Sequence, residues 1–163
     1  FSKKIHGTFF PLPAPLYISD IKIREFLLEN PIIDNTIKMI DECDLIITSL
    51  GVVNSSTPQR IWDAHIDMQT RNELLEKGAE GYFCAHFFDQ DGNFIEHNIN
   101  EQVIGISTES VKNSKIMLVA GGLNKCKAIY SILKGGYVNT LVSDDLTLKK
   151  ILDADKKLRG EYL

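Results

Sequence analysis

The stretch KIMLVAGGLNKCKAIYSILKGGYVNTLVSDDLTLKKIL, residues 115–152, constrains the fold of this chain more than any other. Short apolar runs alternate with helical patterns, and a glycine pair marks each of the first two changes of direction. The spacing predicts a strand over 115–120, a helix over 123–134, a strand over 138–142 and a helix over 144–153. Strands joined through helices run parallel, because the crossover returns each new strand in the same direction.

The upstream sequence fits the same class. GTFFPL, residues 7–12, is short and apolar enough to be read as a strand. Prolines at 11, 13 and 15 then bar a helix until Ser19. Ser19 or Asp20 can cap a helix through Leu28, with Ile21, Ile23, Phe26, Leu27 and Leu28 as its apolar members. Asn30-Pro31 starts a second helix, whose expected buried stripe is Ile32, Ile33, Ile37, Met39 and Ile40. The run Asp44–Gly51 reads as one buried parallel strand. A helix around 67–77 is closed by Gly78. Asp-Gly at 91–92, between the aromatic runs AEGYFCAHFF and NFIEH, predicts a hairpin. Residues 104–107 suit a short extended piece, Thr108 can cap one helical turn, and the charged tail after Asp153 reads as frayed. The resulting class is α/β: a mainly parallel sheet flanked by helices, with an antiparallel hairpin.

Composition removes several kinds of function. A net charge of −4 argues against this chain gripping a phosphate backbone unaided. No apolar run is long enough to span a bilayer, and no signal peptide is visible, so a cytoplasmic location is expected. Cys43, Cys84 and Cys126 are widely spaced, odd in number and free of CxxC pairing, which suits reduced thiols. The histidines lack metal-ligand spacing, so no metal and no cofactor is expected.

The chemistry concentrates at the strand-to-helix turn Gly121-Gly122-Leu123-Asn124-Lys125. Bare backbone N–H groups, a helix N-terminus and a lysine together suit an anion. The turn lacks the spacing of a P-loop and the third glycine of a dinucleotide fingerprint. A plain tight turn with a solvated lysine explains the same residues. A second candidate is Gly51 with the loop Asn54-Ser55-Ser56-Thr57 and Arg60, expected at the carboxyl edge of the sheet. Hydroxyl and amide groups there suit a sugar or phosphate; an ordinary polar loop is the simpler alternative. Asp144 and Asp145 end a strand at that edge, where one can bind hydroxyls or cap the last helix. His86, among Phe83, Phe87 and Phe88, reads as a core residue rather than a catalyst, and no nucleophile–base pair stands out.

Four segments resemble the C-terminal effector-binding domain of SorC-type bacterial sugar-responsive transcriptional regulators. They are FFPLPAPLYISD at 9–20, DLIITSLG at 44–51, FFDQDGNFIEH at 87–97 and the specific stretch at 103–147. The resemblance implies a fold like that of ribose-5-phosphate isomerases and CoA transferases, and a non-enzymatic role. It implies a sugar or phosphosugar effector and a homodimer or tetramer, with DNA bound through an N-terminal helix-turn-helix. The lysine of the family's G-G-x-x-K motif matches Lys125, and its glycines match Gly121 and Gly122. The expected ligand set is thus Gly121, Gly122, Lys125, Asn54, Ser55, Ser56, Arg60 and Asp144.

Three departures accompany the likeness. The helix-turn-helix and the opening β–α unit of the family's domain are not found in residues 1–163, which read as one effector-binding domain fragment. Where the family carries G-A-V-G and an acidic residue, this chain has Gly78-Ala79-Glu80-Gly81-Tyr82, so a ligand-binding carboxylate is displaced or lost. Two other functions fit the same residues. One is a phosphosugar isomerase or aminosugar-phosphate deaminase, with Asp144 as general base; the other is a dimerisation fragment that binds no sugar.

Overall fold

The computed structural model describes residues 2–53 and 66–160. Two three-stranded sheets share one α/β fold. The first is parallel, in the order β1 (Ile46–Thr48), β5 (Ile116–Val119), β6 (Thr140–Val142). The second is antiparallel, in the order β2 (Leu50–Val52), β3 (Ala79–Phe83), β4 (His86–Asp89).

The two sheets meet where one strand was expected. The run 44–51 divides at Ser49: β1 pairs with β5, and β2 turns away to pair with β3. Gly51 explains the second pairing. A Cβ there would lie 2.1 Å from the Tyr82 ring, so only glycine lets that ring cross the strand. Between the sheets lies the larger core, built on Leu50, Phe83, Phe88, Ile116, Leu118, Ile129 and Ile132. The helix α5 (Cys126–Lys134) supplies Ala128, Ile129 and Ile132 to it, all fully buried.

Helix starts follow their capping chemistry. Asp20 accepts from the N–H groups of Lys22 and Ile23 to begin α1 (Ile21–Leu28). Asn30 caps α2 (Pro31–Asp41), with proline in the first turn. Asp67 caps α3 (Met68–Glu76), and Gly78 follows it at φ +80°. The cap of α4 (Thr108–Asn113) is Ser107, one residue before the expected Thr108.

Several expectations are corrected. Residues 7–12 form no strand; instead Leu16–Ile18 lies against Gln102–Ile104, through Ile18 N–H to the Gln102 carbonyl and Ile104 N–H to that of Leu16. Those are the first residues past the prolines that can both donate and accept. They also place the extended pairing at 102–104 rather than 104–107. Of the stripe expected on α2 only Ile33 is fully buried; Ile37 and Ile40 are half-buried, Ile32 and Met39 are 65% and 40% accessible, and α1 buries no residue fully.

The main hairpin turns at Cys84-Ala85, both at positive φ, not at Asp-Gly. The Phe83–His86 pairing leaves exactly those two residues for the turn, so register rather than composition selects them. The Asp-Gly turn does form, and joins Phe88 to Phe94 by a single bridge. Its Gly92, at φ +83°, packs so closely on α5 that a Cβ would meet the Ser131 carbonyl at 2.3 Å. Finally, residues 154–159 of the tail are helical rather than frayed. Helix α6 (Asp145–Arg159) runs on to a left-handed Gly160, aided by an Arg159–Asp155 pair.

Candidate functional site at the carboxyl edge

β1, β5 and β6 end on the same side of the parallel sheet, at Thr48, Val119 and Val142. Ala120 N–H still donates to the Val142 carbonyl, so the ladder persists to the last residue before the glycines. Gly121 and Gly122 then reverse the chain into a 3-10 turn, Leu123–Lys125, and on into α5. Gly122 sits at φ +113°, a conformation that needs glycine.

The N–H of Gly122 is not bare. It donates to Asp144 Oδ2 at 3.1 Å and to Thr147 Oγ1 at 2.8 Å. Asp144 caps α6: its Oδ1 accepts from the Thr147 N–H, and its Oδ2 from the Thr147 hydroxyl at 2.7 Å. The carboxylate lies so near Gly121 that a Cβ there would sit 2.4 Å from Oδ2. The turn therefore already holds an anion, supplied by the chain itself. Thr147's hydroxyl and N–H, and then the Gly122 N–H, hold the Asp144 carboxyl below its usual range, so it is ionised at neutral pH.

Lys125 also has an internal partner. Its half-buried ammonium donates to the Leu50 carbonyl at 2.9 Å, tying the turn to the point where the two sheets meet. An ammonium carries three donors, so two remain. Thr48 ends β1 at this edge, its hydroxyl donating to the Ser49 carbonyl at 3.2 Å, and Cys84 lies in the turn between β3 and β4. Burial pushes the Cys84 thiol up to about 11, so it is protonated and unreactive at neutral pH.

The structure thus brings Gly121, Gly122, Lys125 and Asp144 together in one corner. Asn54, Ser55, Ser56 and Arg60 lie outside the described residues, as do Trp62 and His65. Gly51 is not part of this edge; it lies inside β2 beneath Tyr82. Thr147 belongs to the corner and was not singled out from the sequence, although Asp144-x-x-Thr147 is the spacing of a cap and the third residue of its helix. Glu80, in the segment that departs from the family pattern, pairs with Lys127 at 2.5 Å. His86 is buried and donates from Nε2 to the Ile106 carbonyl at 2.8 Å, with its ring edge-on to Phe94, as befits a core residue. Among the described residues no cluster of His, Cys, Asp and Glu could hold a metal ion, and no helix is long and apolar enough to cross a membrane.

The sequence profile of the family described as "Putative sugar-binding domain" matches residues 1–153. The chain belongs to that family. Its relatives include the transcriptional regulator LsrR of Escherichia coli K12, 31% identical over 144 residues, which are 86% of this chain and 45% of LsrR. The erythritol catabolism regulatory protein EryD of Brucella abortus is 28% identical over 88% of this chain and 45% of its own length. The chain therefore spans about half the length of these curated relatives. A transcriptional regulator from Streptococcus pneumoniae superposes with a TM-score of 0.81 at 28% identity, over 94% of this chain and 59% of that one. The sorbitol operon regulator SorC from Klebsiella pneumoniae shares the fold, with a TM-score of 0.85 at 19% identity over 93% of this chain and 49% of that one. The expected α/β class and SorC-type likeness both hold. The relatives named are regulators rather than enzymes.

Proposed function

We propose that this chain is the sugar- or phosphosugar-sensing and oligomerising part of a cytoplasmic bacterial transcriptional regulator, with DNA bound by a separate helix-turn-helix. The observation that carries this reading is the family match over residues 1–153, in relatives that are regulators and on a fold whose polar corner lies at the sheet's carboxyl edge. Open α/β sheets bind ligands at that edge. The effector acts by population shift, binding one subunit arrangement better than another and so changing the spacing of the DNA-binding modules.

The corner also suggests what it holds. The ionised Asp144 is an acceptor, and the two spare donors of Lys125 point to hydroxyl-rich ligands that both donate and accept. Asn54, Ser55, Ser56 and Arg60, which follow β2 in the sequence, complete the proposed ligand set. The competing isomerase or deaminase needs a general base whose pKa is near working pH. Asp144 is a poor one, since its hydrogen bonds stabilise the ionised form.

The test is thermal stability in a panel of sugars, sugar alcohols and sugar phosphates. One compound should raise Tm in a saturable way; a ligand at 100 times its Kd stabilises by about 2.7 kcal/mol. Lys125→Ala should lose most of that rise, whereas Lys127→Ala, a surface lysine paired with Glu80, should keep it. An unchanged shift in Lys125→Ala removes that residue from the site. Turnover of any sugar phosphate at ordinary enzyme rates would sink the sensor reading.

A further inference from the structure

α1 and α2 form a helical hairpin whose inward side is fixed and whose outward side is uncovered. Arg24 sets the inward side of α1, its Nε donating to the Val103 carbonyl at 2.9 Å. Ile33, 3% exposed, marks the inward side of α2, and the Ser110 hydroxyl holds the end of that helix by donating to the Asp41 carboxylate at 2.5 Å. At about 100° per residue, Ile23 and Phe26 fall on the side of α1 away from Arg24, and Ile32 and Met39 fall together, about 100–120° round α2 from Ile33. Their exposures agree: Phe26 is 75% accessible, Ile32 65%, Ile23 54% and Met39 40%. Among the described residues nothing covers them.

The size and the charge of this face say what fits it. With roughly 200 Å² of surface for an aromatic or large aliphatic residue, the four side chains leave about 450 Å² of apolar surface in water. Single apolar residues are normal on a surface, but a patch of that size on a soluble domain marks a contact. Interface cores are ~65% apolar, so the whole face comes to about 700 Å², near the ~800 Å² that each partner contributes to a stable complex. Around the patch stand Lys22 and Glu29 on α1, with Lys38 and the capping Glu42 on α2, all exposed. Lys38 also pairs with Asp34 one turn back. In a two-fold contact a face meets its own copy. A rim of one sign would repel that copy, whereas this rim offers each lysine a glutamate.

We infer that this face seats the same face of a second copy, so that two α1–α2 hairpins pack across a two-fold axis as a four-helix bundle, with Phe26 and Ile32 as its anchors. The contact deepens the oligomerising part of the proposed function and rests on it. Its place in the fold suits that role. α2 leads through residues 42–45 into the amino end of β1, whereas Lys125 and Asp144 gather beyond the carboxyl ends of the strands. A dimer built on the hairpin leaves that corner open to a ligand.

Sedimentation of the complete gene product, without any sugar, tests the contact. Phe26→Glu combined with Ile32→Glu should halve the wild-type mass and weaken association at least about 30-fold, because a few anchors dominate an interface. Both side chains are exposed within one copy, so far-UV circular dichroism should not change. Phe26→Ser, which adds no charge, should weaken association in the same direction. Leu146→Glu, at an exposed leucine of α6, should keep the wild-type mass. A wild-type assembly left intact by the Phe26 and Ile32 changes overturns the inference and leaves the oligomerising reading standing. A wild type that is monomeric at every concentration overturns both, and sugar sensing is then judged by the thermal shift alone. Equal dissociation by Leu146→Glu overturns the inference as well.

Discussion

The two sheets reverse the usual arrangement. The antiparallel sheet, of a kind that often leaves one face wet, is buried on both sides. Leu50, Val52, Phe83 and Phe88 face the larger core, while Phe87 and Ala79 join a second core with Leu74, Ile95, Ile99 and Val103. The parallel sheet, of a kind that normally needs cover on both sides, has it on one. Stability of residues 1–163 therefore resides around the antiparallel sheet, and polar chemistry collects at the edge of the parallel one. The less protected sheet is the one whose edge carries the Gly122–Asp144–Lys125 corner.

The largest expected effect breaks this comparison at its centre. Phe83 is fully buried, and Phe83→Ala should cost about 3–5 kcal/mol in urea unfolding of this chain. Val142→Thr on the bare face should change stability by about 0.5 kcal/mol or less. Equal losses would mean that the bare face is packed in solution.

A smaller effect sharpens the account of how the sheets separate. Gly51→Ala forces a methyl into the Tyr82 ring and should cost about 1–3 kcal/mol. Pairing it with Tyr82→Ala should recover part of the loss relative to the sum of the single changes. Strict additivity would mean that the ring is not what requires glycine at 51.

The smallest is a pH dependence that sets in on the antiparallel side. Burial holds the His86 pKa below its ordinary 6.5, outweighing the hydrogen bond to Ile106. The folded state then binds fewer protons than the unfolded one, and stability is lost as pH falls below about 6.5. His86→Gln should flatten the stability profile between pH 6.5 and 5, read by urea titration at each pH. Asp144 works in the same direction at lower pH, since its depressed pKa makes a contribution that fades as acid protonates it. A profile left unchanged by His86→Gln would assign the slope to the carboxylates.

Much of this was legible along the chain. The alternation over 115–152 gave the strands, helices and crossovers of the parallel sheet, with boundaries off by a residue or two except at the end of α6, which runs six residues further. Caps at Asp20, Asn30 and Asp144 were readable because a side-chain oxygen beside a helix start acts locally. The division of 44–51 was not readable, because a continuous apolar run looks alike whether it enters one sheet or two. Nor was the turn at Cys84-Ala85, where cross-strand register overrides two residues that rarely take positive φ. The exposed faces of α1 and α2 misled for a related reason: an apolar stripe shows that a face seeks cover, not that the cover is present.

The Gly121-Gly122-x-x-Lys125 turn marks the boundary between the two kinds of knowledge. Sequence by itself determined the fold class, several helix caps and the family, and it located two glycines and a lysine at a strand-to-helix turn. Only the tertiary structure decided that the turn's Gly122 N–H is taken by Asp144 and Thr147, and that Lys125 reaches the Leu50 carbonyl. The physical reason is range. Capping and periodicity are set within a few residues, whereas these partners lie 22 to 75 positions apart and meet only because parallel strands end side by side.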